Sequence, residues 1–170
     1  MDIRLENDKA YKYELVKKVL TDLPEWFEFE EAILTYADMA RSLATYVVSE
    51  DGRDLGFITM KETSDEAIEI YCLGIFKDYR GRGLGKFLVG KVLDLYRYSH
   101  SFAQVKTLDY GLDRYYDETV GFYRTLGFMK LETIKEIWGE DNPCMIMIKS
   151  LWGYEKILRI FLFYGTINVT

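Results

Sequence analysis

The residues best suited to chemistry lie together in one short segment near the middle of the chain. In order they are Arg80, Gly81, Arg82, Gly83, Leu84, Gly85 and Lys86. An apolar, strand-like run over residues 67–76 precedes the segment, and a helix-like run to about Ser99 follows it. Glycines at a strand-to-helix turn leave the backbone uncovered, and the unpaired N–H groups of a first helical turn lie at the positive end of the helix dipole. Together with three cationic side chains, they predict a site for a phosphate or diphosphate group.

The spacing of the glycines argues against two familiar phosphate-binding loops. A P-loop requires Ser or Thr after its Gly-Lys pair, but Lys86 is followed by Phe87. The dinucleotide fingerprint Gly-x-Gly-x-x-Gly fails as well, because its third glycine would fall at Lys86 or at Leu88. The alternative is that this segment is a turn and the start of a helix and binds no ligand. The presence of three glycines interleaved with three cationic residues argues against that alternative.

Two motifs resemble those of the Gcn5-related N-acetyltransferase (GNAT) family. The pattern Arg-x-x-Gly-x-Gly, formed by Arg80, Gly83 and Gly85, is similar to the family's acetyl-CoA diphosphate loop. About forty residues later, the segment GFYRTLGF at 121–128 resembles the family's second signature, Tyr-x-x-x-Gly-Phe, with Tyr123 as its tyrosine. The resemblance covers residues 1–151 and implies an enzyme that moves an acetyl group from acetyl-CoA to a primary amine by direct attack.

The resemblance also implies which residues bind the cofactor. Strand residues Leu73, Gly74 and Ile75 would pair their backbone with the pantetheine arm, and an N–H group there would polarise the thioester carbonyl. Gly74 in mid-strand fits a close backbone approach or a β-bulge. Tyr116 stands where the family usually has an asparagine that contacts the cofactor, which puts that contact in doubt. The expected cofactor-binding set is Leu73, Gly74, Ile75, Arg80, Gly81, Arg82, Gly83, Leu84, Gly85, Lys86, Tyr116 and Tyr123.

Direct transfer to an amine needs an acid for the departing thiolate and a base for the ammonium. Tyr123 matches the family tyrosine and is the candidate acid; the alternative is a core aromatic residue on a helix face. Glu69 lies six residues before Ile75, where histone-type relatives have a glutamate base, and is the candidate base. The alternatives are a solvated strand glutamate at that position, with Asp109 or a water molecule as the base.

Composition limits the class of protein. The chain has 170 residues, 49% of them hydrophobic and 16% aromatic, which fits one globular domain with a substantial core. A net charge of −6 argues against nonspecific nucleic-acid binding and is compatible with cationic amine acceptors. Cys72 and Cys144 lie in strand-like runs and resemble small buried apolar residues, with no metal-ligand spacing. The single histidine, His100, is expected to be structural or exposed.

The order of elements predicts the fold. The periodicity gives a strand at 2–6, helices at 9–20 and 24–39, strands at 43–49, 54–61 and 67–76, the helix after the glycine loop, a strand at 102–108, a helix at 118–126, and strands at 129–138 and 144–151. This is the order of the GNAT fold, an α/β (α+β) architecture in which a mixed, mostly antiparallel sheet of about seven strands is flanked by helices. Residues 109–116 are expected to be irregular.

The remaining predictions concern organisation and partners. Residues 1–151 are expected to form the acetyltransferase domain, and 152–170 an apolar extension that packs on it, mediates a homodimer or is an added sequence. The charged N-terminus and the lack of a long apolar run predict a cytoplasmic protein without a membrane association. The sequence does not choose between a small-molecule and a peptide amine as acceptor. A sensor that binds acyl-CoA without turnover, and a transferase for longer acyl chains, are the alternatives.

Overall fold

The computed structural model describes residues 1–152, in which one seven-stranded sheet carries four helices. The strands are β1 (Asp2–Glu6), β2 (Ala44–Glu50), β3 (Arg53–Ser64), β4 (Ala67–Ile75), β5 (Phe102–Leu108), β6 (Met129–Ile134) and β7 (Cys144–Ser150). The helices are α1 (Lys9–Thr21), α2 (Glu30–Ser42), α3 (Leu84–Tyr96) and α4 (Arg114–Thr125). The predicted fold class is confirmed, while the apolar extension falls almost entirely outside the described residues.

The strands follow the order β1-β2-β3-β4-β5-β7-β6 across the sheet. All neighbouring pairs are antiparallel except β4 and β5, which run parallel. A parallel pair needs a crossover connection, and α3 with the loop before it supplies that crossover. The only parallel pair in the described part of the chain therefore lies directly beside the glycine loop.

The sheet separates two hydrophobic clusters, because successive residues of a strand point to opposite faces. Val47 and Phe57 pack with buried residues of α1 and α2, whereas their neighbours Val48 and Ile58 belong to the cluster that includes α3 and α4. Two helices thus cover each face, and both clusters are built largely from fully buried aliphatic side chains. Cys72 and Cys144 are buried and unbonded to each other.

Several element boundaries differ from the sequence prediction. The second helix begins at Glu30 instead of residue 24, because Trp26 and Phe27 donate their N–H groups to Leu23 in a single turn that goes no further. Helix α4 begins at Arg114 instead of 118, since the Asp113 side chain caps the N–H groups of the next turn.

Strand β6 ends at Ile134, and a short 3₁₀ turn over Lys135–Ile137 brings the chain to Trp138, which the sequence had placed within the strand. None of the helices in the described part of the chain has the length and apolar character that crossing a membrane requires. His100 is buried in the connection between α3 and β5, where Ser99 Oγ lies 2.9 Å from its Nδ1.

Candidate active site

The parallel strands β4 and β5 separate before they end. Their pairing runs from Ala67–Phe102 to Ile70–Val105, although β4 continues to Ile75 and β5 to Leu108. Beyond this point the backbone of β4 has no strand partner on that side within residues 1–152. A β-bulge in β4 contributes to this separation. β3 pairs Thr59 with Cys72 but Met60 with Ile70, which leaves Tyr71 of β4 as the extra residue.

A cavity of about 480 Å³ opens where the two strands separate. It has the size of a small-molecule site, and it brings together most of the residues that the sequence singled out. Those that line it are Leu73, Gly74, Ile75, Arg80, Gly81, Gly83, Leu84, Gly85, Lys86, Tyr116 and Tyr123. Arg82 and Glu69 do not line it.

The glycine loop is held open at one end of this cavity. Gly81 and Gly83 adopt φ angles of +73° and +79°, which residues with a Cβ rarely adopt. A Cβ at either position would meet nothing within 4 Å, so the space in front of the loop is clear. Gly85 is different, since a Cβ there would lie 3.4 Å from the ring of Phe122.

Helix α3 begins without a side-chain cap, whereas Asp8 caps α1 and Asp113 caps α4. The first helical hydrogen bond of α3 runs from Phe87 N–H to Gly83 O at 2.9 Å. The N–H groups of the preceding turn therefore stand outside the helical ladder, with Lys86 beside them. This arrangement suits an anion such as a diphosphate.

The two loop arginines have different surroundings. Arg80 lines the cavity, and its guanidinium carbon lies 4.1 Å from the ring centroid of Trp26. Arg82 donates to Glu50 Oε2 at 2.8 Å and lies 5.7 Å from the ring of Tyr79, so it points toward the end of β2. Arg80 is thus the loop arginine in position to contact a ligand in the cavity.

Tyr123 lies in α4 with only 4% of its surface exposed, and that part faces the cavity. Its ring packs edge-on against Phe122 and Phe128. Burial raises the pKa of Tyr123, and nearby Cys72 adds to this effect. The hydroxyl has no hydrogen-bond partner among the described residues, so a neutral O–H group remains available to a ligand.

Glu69 is 4% exposed, and both of its carboxylate oxygens accept from Lys106 Nζ, at 3.0 and 3.1 Å. Lys106 itself lines the cavity. A proton acceptor at Glu69 would therefore reach the cavity through a relaying group. Asp109, the other candidate, also lies off the cavity lining and accepts from Lys130 (2.9 Å) and Thr133 (2.7 Å).

Gly74 allows α1 to pack closely on β4, and it does not form a β-bulge. A Cβ at this position would lie 2.7 Å from Val19 Cγ1 and 3.1 Å from Phe57 Cε1. The missing side chain therefore lets α1 approach β4 closely. The alternative prediction of a β-bulge at Gly74 is wrong, since the irregular pairing occurs at Tyr71.

The cavity is also lined by aromatic rings, which the motifs gave no reason to expect, and one of them, Trp26, contacts Arg80 of the glycine loop. Six rings from five segments of the chain line it, and we call them the aromatic wall: Trp26, Phe27, Tyr36, Tyr71, Tyr116 and Trp138. Tyr116 donates its hydroxyl to Trp26 O at 3.0 Å, and Trp26 donates its Nε1 to Thr119 Oγ1 at 3.0 Å. The high tyrosine content was the sole sequence signal for this wall, and it does not say which rings meet.

Comparison with known proteins agrees with this architecture. A model of the acetyltransferase (GNAT) domain matches residues 41–130, more than half of the chain, so the chain belongs to the GNAT acetyltransferase family. Among curated proteins, none has a sequence that matches it.

Solved structures share the fold at low sequence identity. A protein from Desulfovibrio desulfuricans assigned to the GNAT acetyltransferases has a TM-score of 0.74 at 17% identity, covering 89% of this chain and 99% of that one. The aminoglycoside 6'-N-acetyltransferase of Enterococcus faecium has a TM-score of 0.69 at 16% identity, with 90% and 98% covered. A GNAT acetyltransferase from Elizabethkingia anophelis with acetyl-CoA bound has a TM-score of 0.65 at 13% identity, with 88% and 97% covered.

Proposed function

We propose that this chain is an N-acetyltransferase that moves the acetyl group of acetyl-CoA to a primary amine by direct attack. One observation carries the proposal: an uncapped helix start with an open glycine loop borders the same cavity as a buried tyrosine hydroxyl that has no partner among the described residues. The family assignment and a related structure with acetyl-CoA bound support the choice of co-substrate.

The loop would hold the diphosphate of acetyl-CoA. The N–H groups of Gly85 and Lys86 and the side chain of Arg80 supply the donors, and each charge-assisted hydrogen bond contributes about 1.5–3 kcal/mol. The unpaired edge of β4 at Leu73 and Ile75 offers the backbone groups that an extended pantetheine arm needs. These groups orient the thioester toward the aromatic wall and keep water away from it.

In the transfer step the amine nitrogen attacks the thioester carbonyl carbon. The C–N bond forms, the C–S bond breaks, and an N–H group of β4 stabilises the oxyanion between these events. The thiolate takes the proton of the Tyr123 hydroxyl. Because its raised pKa makes Tyr123 a weak acid, the hydroxyl first stabilises the thiolate as a hydrogen-bond donor and transfers its proton as the sulfur departs.

The amine must lose two protons in all, one before attack and one after it. Glu69, acting through Lys106 or a water molecule, is the proposed acceptor of the first, and the second returns through solvent to the Tyr123 phenolate, which restores the acid. At neutral pH, deprotonating an alkylammonium of pKa about 10.4 costs about 4–5 kcal/mol, so a base at this position would speed the reaction.

The proposal is tested with the full chain in two measurements. Calorimetry should show that CoA and acetyl-CoA bind, and a thiol-release assay should show turnover that depends on an added primary amine. Binding without turnover across a broad set of amines would instead favour a sensor of acyl-CoA. A higher rate with butyryl-CoA than with acetyl-CoA would favour a transferase for longer chains.

A further inference from the structure

Three rings of the aromatic wall support one another. Phe27 packs on Tyr36 with ring centroids 5.7 Å apart and an interplanar angle of 86°, and Tyr36 packs on Tyr71 at 5.4 Å and 61°. Such edge-on contacts are the favoured geometry of aromatic pairs. These three rings are therefore positioned by one another before a ligand enters, so a flat apolar group could bind against them without reorganising them.

Position along β4 separates Tyr71 from the diphosphate loop, although Trp26 of the same wall contacts Arg80 of that loop. Tyr71 precedes Ile75 by four residues, about 13 Å of extended strand. Ile75 in turn borders the loop, since its Cγ1 lies 3.9 Å from the place of a Cβ on Gly85. Tyr71, with Tyr36 and Phe27 packed in series against it, thus lies beyond the stretch of β4 that would hold the pantetheine arm, where the acceptor must stand.

The charges around the wall do not favour a ligand with several positive groups. Two ring faces already carry the protein's own cations, with Arg80 at 4.1 Å from the centroid of Trp26 and Lys61 at 5.4 Å from that of Tyr71. Lys106 adds a positive charge on the cavity lining, which Glu69 neutralises. A further cation near these groups would meet repulsion.

No unengaged carboxylate stands on the cavity lining within residues 1–152 to offset that repulsion. The one acidic lining residue is Glu118, which is half exposed and lies 3.6 Å from Arg114. Of the acidic residues that flank Trp26 and Phe27 in sequence, Glu25 accepts from Lys77 Nζ at 2.7 Å and Glu28 is exposed, and neither lines the cavity. Burial raises the pKa of Tyr36, so that ring stays neutral as well.

From these observations we infer that the acceptor is a primary monoamine with a flat aromatic group that stacks against the aromatic wall, and that polycationic amines are poor acceptors. The amine nitrogen would then point toward Leu73 and Tyr123 while the ring remains on the wall. This inference rests on the proposed function for its chemistry, but it concerns the acceptor end alone. It differs from the expectation that net charge gives, because the chain is acidic overall and its cavity is not.

The first test compares acceptors on the full chain. With acetyl-CoA saturating, kcat/KM for phenethylamine should exceed that for ethylamine and that for spermine by at least about tenfold, since a matched apolar pocket discriminates by this order. Equal or higher kcat/KM for spermine, for kanamycin or for a peptide with a free N-terminus would overturn the inference.

The second test uses a matched pair of variants on the connection before β7. Trp138 and Ile137 are adjacent and equally exposed, at 41% and 40%, but only Trp138 lines the cavity. Trp138→Ala should raise KM for phenethylamine about fivefold or more and reduce its advantage over ethylamine. Ile137→Ala should change neither, and a similar change in both variants would contradict a stacking role.

A binding measurement keeps the inference testable if the chain turns over no amine. In the presence of CoA, calorimetry should show phenethylamine binding more tightly than spermine, and Trp138→Ala should weaken it. That result, with no thiol release, would reject the transfer reaction while supporting the aromatic ligand. Phenethylamine binding no tighter than spermine would reject the aromatic ligand even if acetyl-CoA is consumed.

Discussion

The glycine loop and the aromatic wall are assembled in different ways. The end of the cavity that we propose to hold the diphosphate comes from one continuous loop, residues 80–86, in which Gly81 and Gly83 adopt positive φ angles. The aromatic wall takes its rings from the α1–α2 connection, α2, β4, α4 and the segment after β6. A local motif thus builds the diphosphate end, while side chains distant in sequence build the other. Substitutions should therefore separate cofactor affinity, rate and acceptor choice.

The largest expected effect is on rate and comes from Tyr123, which lines the same cavity. Tyr123→Phe keeps the ring packing and removes a hydroxyl that has no partner among the described residues, so stability and acetyl-CoA affinity should hold. Turnover should fall by about 10²–10⁴-fold if that hydroxyl serves the departing thiolate. Steady-state kinetics with a good acceptor would measure it.

A matched control is Tyr96→Phe, which removes a hydroxyl that lies 3.4 Å from that of Tyr46 and off the cavity. The raised pKa of Tyr123 gives a second check, because its hydroxyl stays protonated as pH rises. Its ionisation should therefore cause no loss of rate below about pH 10. An unaltered rate in Tyr123→Phe would make this tyrosine a core residue.

The next largest effect should be on affinity at the diphosphate end. Gly83→Val forces a side chain into a positive φ at the start of α3 and into the space that a diphosphate would use. The dissociation constant for CoA, measured by calorimetry, should rise by about tenfold or more. The added side chain would keep the phosphate oxygens away from the backbone N–H donors.

Gly111→Val serves as the control for backbone strain, since Gly111 has a φ of +90° and does not line the cavity. If both variants bind CoA as the wild type does, the loop does not hold the diphosphate. If both lose affinity equally, strain rather than the loop accounts for the loss.

The contrast between the two ends also explains how far the sequence could be interpreted. Strands β1 and β5 have the bounds that their alternation predicts, and the glycine loop lies at the start of a helix as expected. These features depend on neighbouring residues. The direction of Arg82 toward Glu50 and the contact of Arg80 with Trp26 depend on residues at least thirty positions away, which no local pattern encodes.

The start of α4 could have been predicted from Asp113, a cap residue directly before the helix. The aromatic wall could not, because its rings meet only once the α1–α2 connection folds against α4. Gly74 belongs to the same class, since the residue that needs its small size, Val19, lies in another element. The roles predicted for the individual site residues remain predictions until the variants are measured.

A smaller effect on rate is expected at Glu69. Glu69→Gln removes the carboxylate that holds Lys106, and turnover of an alkylamine at neutral pH should fall by about tenfold. Raising the pH toward the pKa of the amine, about 10.4, should restore much of the rate, because the acceptor then arrives deprotonated. Rates measured from pH 6 to 10 would show it.

An aniline acceptor, which is already neutral at pH 7, should be nearly indifferent to the substitution. Glu62→Gln is the control, since Glu62 lies on the neighbouring strand with its side chain 68% exposed. A pH profile that matches the wild type would remove Glu69 from the proton path and leave a water molecule or Asp109 in its place.

The smallest expected effect is on stability, and it concerns the contact between α1 and β4 beside the cavity. Gly74→Ala places a methyl group 2.7 Å from Val19 Cγ1, which crowds a contact between two fully packed elements. Overpacking of this kind costs about 1–3 kcal/mol of unfolding free energy, or roughly 5 °C in Tm for a chain of this length.

Gly90→Ala is the matched control, because Gly90 lies exposed within α3 and a Cβ there meets nothing within 4 Å. That variant should be more stable by about 0.4–1 kcal/mol. If thermal unfolding shows Gly74→Ala to be as stable as Gly90→Ala, β4 does not need a glycine for the approach of α1, and the residue would be free to serve the ligand side of the strand.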